Sequence, residues 1–319
     1  MTDWRLVVDV GGTNVRFARA LKGGRLVDRV EYRVAAYPSF DDALCAYLQR
    51  IVTQVPCGSA AIAAAGPVAD DEIVLTNLPW RIMREAVSDA LGGVSVTLFN
   101  DLQAAALSIP NLDDRSLITC ISGDGGRDPS AIRLAVNVGT GFGAATLMRI
   151  GERWASLPSE PGYMTLAAAT VEEFALLSCA GGPLNSVEDA ISGPGLMRLY
   201  SHFSAADGNA PPGHSDPRHI FERAQTDLAA RRTLQVFTAF LARICGDLVL
   251  ATAAWGGVYL FGSVARGWHT YGDLSLFRGT FVAKEKMASR MVAVPVNLVI
   301  DVEAPLVGLG SAESPGRFV

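Results

Sequence analysis

Hydrophobic and polar positions alternate along the first 33 residues in the pattern of short strands joined by tight turns. Further on, compact apolar runs bounded by glycine or proline predict buried strands, and longer stretches with helical spacing separate them. The predicted strands span residues 6–10, 15–20, 25–33, 60–65, 94–99, 132–138, 144–148, 258–261 and 296–301. The predicted helices span residues 39–52, 81–91, 225–254 and 304–312. This mixture predicts an α/β protein.

One pattern occurs twice in the chain. Residues 8–13 and residues 136–141 each combine the end of an apolar strand, a polar residue near that end and a glycine-rich turn. An internal repeat of this kind predicts two similar lobes. The length of 319 residues agrees, because chains of this size usually exceed a single core.

Composition limits the classes of partner. Half of the residues are apolar and only 18% are charged, which predicts a folded chain with a large core. The net charge of -5 offers no general basic field, so we expect no nucleic-acid partner. We find no apolar run near the roughly 20 residues that a membrane span needs. The sequence therefore predicts a cytoplasmic protein without a membrane partner.

The first glycine turn carries polar groups suited to phosphate. Gly11 and Gly12 allow backbone N–H groups to approach phosphate oxygens, and Asp9, Thr13 and Asn14 flank them. A carboxylate and a hydroxyl here could reach a phosphate-bound magnesium ion through water. A hairpin turn that needs glycine for positive φ explains the same residues equally well.

The second glycine turn strengthens the phosphate interpretation. Thr140 lies among Gly139, Gly141 and Gly143, directly after a predicted buried strand. Two such loops in repeated lobes could hold a polyphosphate from both sides. Neither loop matches the P-loop pattern, and neither opens a helix as the dinucleotide fingerprint requires.

Asn100 and Asp101 follow a predicted buried strand, where open α/β sheets place their ligands. A carboxylate at this edge could accept the proton of a sugar hydroxyl, and the amide could hold neighbouring hydroxyls. The alternative is that one of the two only caps the helix that follows. The spacing alone does not separate these explanations.

Other candidates are weaker when taken singly. Glu160 and Glu188 lie in short polar segments and could bind hydroxyl pairs, although single glutamates are more often surface residues. Gly256, Gly257 and Gly262 flank a short apolar strand and would let a flat ring lie against backbone. Close helix–strand packing explains these glycines equally well.

In their order along the chain, these segments resemble bacterial glucokinases of the hexokinase and actin superfamily. The resemblance runs from about residue 7 to residue 310: residues 9–14 and 139–143 are similar to the two phosphate motifs, and residues 256–263 to the adenosine segment. It implies a two-lobed actin-like (ribonuclease H-like) ATPase fold with a central cleft. We expect a small domain over residues 1–107, completed by a C-terminal helix at about 302–315, and a large domain over 108–301.

The resemblance also implies roles for individual residues. Asp101 corresponds to the catalytic base, and Asn100, Glu160 and Glu188 correspond to sugar-binding residues, with Asn77 beside the sugar loop. It implies ATP as the phosphoryl donor, Mg²⁺ bound through ATP with water-mediated help from Asp9, and a homodimer. The expected reaction converts glucose and ATP to glucose 6-phosphate and ADP.

Three positions depart from the family pattern. Pro161 replaces a glycine, Tyr163 replaces a sugar-binding histidine, and Ser263 replaces the second glycine of the adenosine segment. Tyrosine still offers a hydroxyl for sugar binding, but its longer ring could crowd one face of the sugar. These departures leave two alternatives open: a kinase for another hexose or an amino sugar, and a sugar-sensing homologue without turnover.

Overall fold

The computed structural model describes residues 3–51, 55–66, 68–75, 78–125, 128–179, 184–208 and 216–312. Asn77, which the sequence placed beside the sugar loop, lies outside these residues. The chain divides into two compact units. The first contains Met1–Asp113, Ile150–Leu157 and Asp301–Val319, and the second contains Asp114–Arg149 and Pro158–Ile300.

Strands and helices both occur throughout the chain, in runs and in alternation, which confirms the α/β prediction. The strands are β1 (Trp4–Val10), β2 (Asn14–Ala20), β3 (Leu26–Arg33), β4 (Cys57–Ala64), β5 (Val68–Ala69), β6 (Glu72–Val74), β7 (Arg81–Met83), β8 (Ser95–Asn100), β9 (Leu117–Ile121), β10 (Arg133–Val138), β11 (Phe142–Ile150), β12 (Arg153–Ser159), β13 (Val258–Phe261) and β14 (Val296–Val299). The helices are α1 (Phe40–Arg50), α2 (Arg84–Ala90), α3 (Asp101–Ser108), α4 (Val171–Cys179), α5 (Val187–Ala190), α6 (Gly193–Ala206), α7 (Pro217–Arg223), α8 (Leu228–Thr252), α9 (Ser263–Tyr271), α10 (Leu274–Val282), α11 (Ala288–Met291) and α12 (Ala304–Ser311).

The first unit is built on a sheet with the strand order β3-β2-β1-β4-β8. β1 and β2 form an antiparallel hairpin, whereas β1, β4 and β8 run parallel. Val10 pairs with Ala64, and Ala64 pairs with Asn100, so these three strands end at one edge of the sheet. The side chains between the sheet and α1 are buried and form one hydrophobic core.

One predicted helix begins later than expected. The sequence predicted a helix over residues 81–91, but Arg81–Met83 form β7 and the helix α2 starts at Arg84. Ile82 pairs with Ile73 of β6, and both side chains are fully buried. A three-stranded sheet, β5-β6-β7, therefore takes up the first turn of the predicted helix.

The second unit repeats the strand arrangement of the first. Its strands β11, β10, β13, β14 and β9 are neighbours in that order. β10 and β11 form an antiparallel hairpin, and β10, β13 and β14 run parallel, as β1, β4 and β8 do. This correspondence confirms the internal repeat that the sequence predicted.

The helix α8 forms the centre of the second core. Asp227 caps it by accepting a hydrogen bond from the Ala230 N–H at 3.1 Å, so it begins three residues after the predicted start at 225. By length and composition α8 could cross a membrane, but most of its apolar stretch is buried inside the protein. It packs against α6 and α10, which identifies it as a core helix.

Candidate functional site

The first glycine loop connects β1 to β2. The Gly11 N–H donates to the Asn14 carbonyl at 2.9 Å, and the Thr13 carbonyl accepts from the Val34 N–H at 2.9 Å. Neither Gly11 nor Gly12 has the positive φ that the hairpin explanation required. Among the described residues, no heavy atom lies within 4 Å of where a Cβ on Gly12 would stand. Its backbone is therefore open to a ligand.

Asp9 lies near the end of β1, one residue before the sheet edge. Its side chain is only 13% exposed and forms an ion pair with Arg16 at 3.3 Å. Arg16 also contacts Glu31 at 2.7 Å, so it is shared between two carboxylates. Burial raises the pKa of the Asp9 carboxyl above its usual value, and the Arg16 charge only partly opposes this. The ionised carboxylate would gain from a second cation.

Asn100 is the N-cap of α3, as the capping alternative proposed. Its Oδ1 accepts a hydrogen bond from the Leu102 N–H at 2.7 Å, and its own N–H donates to Gln103 Oε1 at 3.0 Å. Asp101 is the first residue of the helix, and its Oδ1 also accepts from the Leu102 N–H, at 2.9 Å. The cap therefore fixes the strand–helix junction that carries Asp101.

Gln103 is a residue that the sequence reasoning missed. Its amide side chain accepts from the Asn100 N–H and donates through Nε2 to the Ser156 carbonyl at 3.1 Å. A glutamine three residues after an asparagine cap is the signature of a capping box, and this spacing was visible in the sequence.

The second glycine loop, residues 139–143, follows β10 and leads into β11. We call it the phosphate loop. The Gly139 N–H donates to the Gly141 carbonyl at 3.0 Å, and the Gly139 carbonyl accepts from the Gly193 N–H at 2.8 Å. Thr140 is exposed at the tip of the turn. The loop joins antiparallel strands, so it differs from a dinucleotide fingerprint, as the sequence predicted.

Glu188 contacts the phosphate loop directly. Its Oε2 accepts a hydrogen bond from the Phe142 N–H at 2.8 Å. A Cβ on Gly141 would lie 2.6 Å from the same oxygen, and a Cβ on Gly162 would collide with the Phe142 carbonyl. The structure thus brings the second glycine loop together with Glu188 and with the segment that contains Glu160.

Glu160 and Tyr163 lie at the two ends of a single turn. The Tyr163 N–H donates to the Glu160 carbonyl at 3.2 Å. Glu160 is exposed, and Tyr163 is 77% exposed. Just beyond the turn, the Val187 N–H donates to the Met164 carbonyl at 2.9 Å, which ties the segment to the start of α5. Glu160, Tyr163 and Glu188 therefore belong to adjoining segments.

The glycines around β13 lie very close to neighbouring residues. A Cβ on Gly256 would lie 2.9 Å from the Ala131 carbonyl, and one on Gly257 would lie 2.9 Å from a ring atom of Pro295. Gly262, with φ of 101°, lies against the end of β10, where its Cβ would be 2.7 Å from Asn137 Oδ1. For Gly256 and Gly257 this geometry supports the packing explanation. Gly262 connects β13 to α9 and packs against the end of β10.

Comparisons with known proteins agree with these features. The family model described as Glucokinase matches residues 6–315. The glucokinase of Tolumonas auensis is 33% identical over 316 residues, covering 98% of this chain and 97% of that protein. The glucokinase of Klebsiella pneumoniae strain 342 is 34% identical over 318 residues, with the same coverage. A crystal structure described as glucokinase from an Antarctic psychrotroph is 31% identical, with a TM-score of 0.87, and covers 98% of both chains.

The repeated α/β unit, with a glycine turn at the edge of each sheet, is the unit of the two-lobed actin-like ATPase fold, and the psychrotroph glucokinase structure shares this fold. The class is therefore that of ATP-dependent hexose kinases. Within it, the chain belongs to the glucokinase family.

Proposed function

We propose that this protein transfers the γ-phosphoryl group of ATP to glucose, forming glucose 6-phosphate and ADP. The observation that carries the proposal is the position of Asp101, at the sheet edge where β1 and β8 end, in a chain that matches glucokinases over its whole length. Asp9 and the first glycine turn lie at the same edge of the same sheet. A proton acceptor and a phosphate-binding turn are the groups that this reaction needs.

Asp101 is the proposed general base. Its carboxylate would accept the proton of the primary hydroxyl on carbon six as the phosphoryl group arrives. The capped junction supports this role, because Asn100 and Gln103 hold the backbone on either side of it. Phosphoryl transfer asks little covalent work of the protein, so most of the remaining rate enhancement would come from positioning and charge neutralisation.

The proposed sugar-binding residues are Asn77, Asn100, Glu160, Tyr163 and Glu188, together with Asp101. Carboxylates and amides suit this task because they accept and donate hydrogen bonds to neighbouring hydroxyls. Tyr163 would donate or accept through its hydroxyl in place of the family's histidine. Its exposure leaves the ring accessible to a ligand.

The proposed nucleotide-binding residues are Gly11, Gly12, Thr13 and Asn14 in the first unit and Gly139, Thr140, Gly141 and Gly143 in the second. Gly256, Gly257 and Gly262 would border the adenosine, Gly262 at the start of α9. Asp9 fits a magnesium ion bound through ATP, because its buried carboxylate is only partly neutralised by Arg16. When bound, the ion would neutralise phosphate charge.

The same resemblance supports three further proposals. Residues 1–107 with the C-terminal helix and residues 108–301 would be the two domains, the chain would form a homodimer, and it would act in the cytoplasm. Light scattering on the purified protein measures the oligomeric state. A mass of one chain contradicts the dimer.

A panel of sugars tests the proposed function. Purified protein is mixed with Mg-ATP and with glucose, mannose, fructose, glucosamine or N-acetylglucosamine, and ADP release is followed. We expect glucose to give the highest kcat/KM. A higher value for another sugar would favour the alternative kinase, and sugar binding without ADP release across the panel would favour a sensing role. Tyr163→His reports whether the tyrosine sets the preference.

A further inference from the structure

We propose that Glu188 is a positioning residue for the phosphate loop, in addition to the sugar-binding role that the proposed function gives it. The inference rests on that function only for the identity of its ligands. The contact itself links a carboxylate on the α5 segment to the turn between β10 and β11, which lies 46 residues earlier in the chain.

The hydrogen bond between Glu188 and Phe142 has the features of a strong contact. A carboxylate accepts from a backbone N–H at 2.8 Å, and bonds to a charged acceptor are stronger than neutral ones. The glycine at 141 leaves room for it, because a Cβ there would stand 2.6 Å from Oε2. The contact fixes the direction of the Phe142 N–H, and it therefore also fixes the conformation of the turn.

The same segment holds the other end of the loop. The Gly193 N–H donates to the Gly139 carbonyl at 2.8 Å. Ser192 links the two attachment points, since its hydroxyl donates to the Glu188 carbonyl at 2.7 Å and accepts from the Gly195 N–H at 3.0 Å. Residues 188–193 therefore fix the phosphate loop at both ends, by a backbone contact at Gly139 and by a side-chain contact at Phe142.

The carboxylate has capacity for a second partner. It offers two oxygens with about four lone-pair sites, and the Phe142 N–H uses one of them. A sugar hydroxyl bound to Glu188 would therefore share a carboxylate with the loop that binds the ATP phosphates. Sugar binding would orient the carboxylate and restrict the loop, so each ligand would raise the affinity for the other by the same factor.

Two conservative variants separate positioning from sugar binding. Glu188→Asp keeps the charge but withdraws the carboxylate by one methylene, so the bond to Phe142 is lost. Glu188→Gln removes the charge but keeps an oxygen that can accept from the Phe142 N–H. Glu160→Asp is the matched control, because it shortens the other sugar-side glutamate. Thermal unfolding confirms that each variant is folded.

The readout is the affinity for a non-hydrolysable ATP analogue with Mg²⁺, measured calorimetrically without sugar. We expect Glu188→Asp to weaken binding about fivefold or more, the loss of one charge-assisted hydrogen bond, and Glu188→Gln and Glu160→Asp to stay within about threefold of the wild type. With saturating glucose, the affinity of the wild type for the ATP analogue should rise, and the affinity of Glu188→Asp for the analogue should not.

Wild-type affinity in Glu188→Asp, or an equal loss in Glu160→Asp, would overturn the positioning role. The proposed function fails separately if no sugar is phosphorylated. A weakened analogue affinity in Glu188→Asp would then still support the role of Glu188 in holding the loop.

Discussion

Asn100 and Asp101 are adjacent in the chain, and both accept a hydrogen bond from the Leu102 N–H, at 2.7 and 2.9 Å. Because Asn100 already provides the cap, α3 does not depend on the Asp101 carboxylate for its first turn. Asparagine at 101 would keep an acceptor oxygen while losing the basicity. Substitution of this residue therefore tests chemistry while the Asn100 cap of α3 stays in place.

We predict that Asp101→Asn lowers kcat by about two orders of magnitude or more, the range expected when a general base is removed. Its melting temperature and its affinity for glucose should remain close to those of the wild type. Steady-state ADP release and calorimetric titration measure these quantities. Asp89→Asn, on the exposed face of α2, is the control for an unrelated carboxylate. Near-normal turnover in Asp101→Asn would remove Asp101 from the mechanism.

Substitution of Asp9 by asparagine should affect stability and activity in opposite directions. Its folded-state pKa is raised, so the folded protein holds a proton that the unfolded chain has lost, and stability falls as pH rises through the raised pKa. Asp9→Asn removes this cost, and Arg16 keeps its contact with Glu31 at 2.7 Å.

The melting temperature of Asp9→Asn relative to the wild type should therefore increase between about pH 4 and pH 7, the interval above the usual carboxyl pKa. Turnover with Mg-ATP should fall, because the carboxylate that favours the metal is gone. Thermal melts across this pH range and ADP release measure the two effects. If the melting temperature of Asp9→Asn relative to the wild type decreased over this pH range, burial would not be the dominant influence on the pKa of Asp9.

At the scale of elements, α12 supports the helix that carries the candidate base. A Cβ on Gly308 would collide with the Ala104 carbonyl and would lie 2.7 Å from the Ser108 nitrogen. The two helices therefore pack backbone to backbone, and only glycine permits this approach.

We predict that Gly308→Ala destabilises the protein by about 1–3 kcal/mol, because overpacking forces α12 away from α3. Gly279→Ala is the matched control: it also lies within a helix, but no described heavy atom lies within 4 Å of the added Cβ. It should be neutral or stabilising by up to about 1 kcal/mol, since alanine favours helix. Denaturant unfolding compares the two. Equal effects would contradict the close packing of α12 on α3.

The elements that sequence predicted well are those with strong local signals. Apolar runs between glycines and prolines predicted β4, β8, β10 and β13, and a serine cap predicted α1. The strand β7 was missed because three residues are too few to show a period, and only its pairing with β6 makes it a strand. Local pattern cannot reveal such a pairing.

In the candidate site, too, some features could be predicted from local sequence and others could not. Both glycine loops and the Asn100–Asp101 junction were predictable, because each lies at the end of an apolar strand. The contact of Glu188 with Phe142 joins residues far apart in sequence, so no spacing signals it. The packing of Gly256 and Gly257 against residues 131–132 and 295 was likewise outside the reach of local pattern.

At the scale of the whole molecule, each unit presents a glycine turn between antiparallel strands, with parallel strands ending beside it. In the first unit this edge carries Asp9 and Asp101; in the second it carries the phosphate loop and Glu188. One repeated architecture thus carries different polar residues in the two units, as the proposed separate roles in proton acceptance and in ligand binding require.

The most direct measurement of the central claim is identification of the product. Purified protein is incubated with Mg-ATP and glucose, and ³¹P NMR follows ATP, ADP and sugar phosphate in one sample. The account predicts ADP and glucose 6-phosphate in equal amounts, with formation of both abolished or strongly reduced in Asp101→Asn. ADP without a phosphorylated sugar, phosphate on a different carbon of glucose, or no reaction with glucose would contradict it.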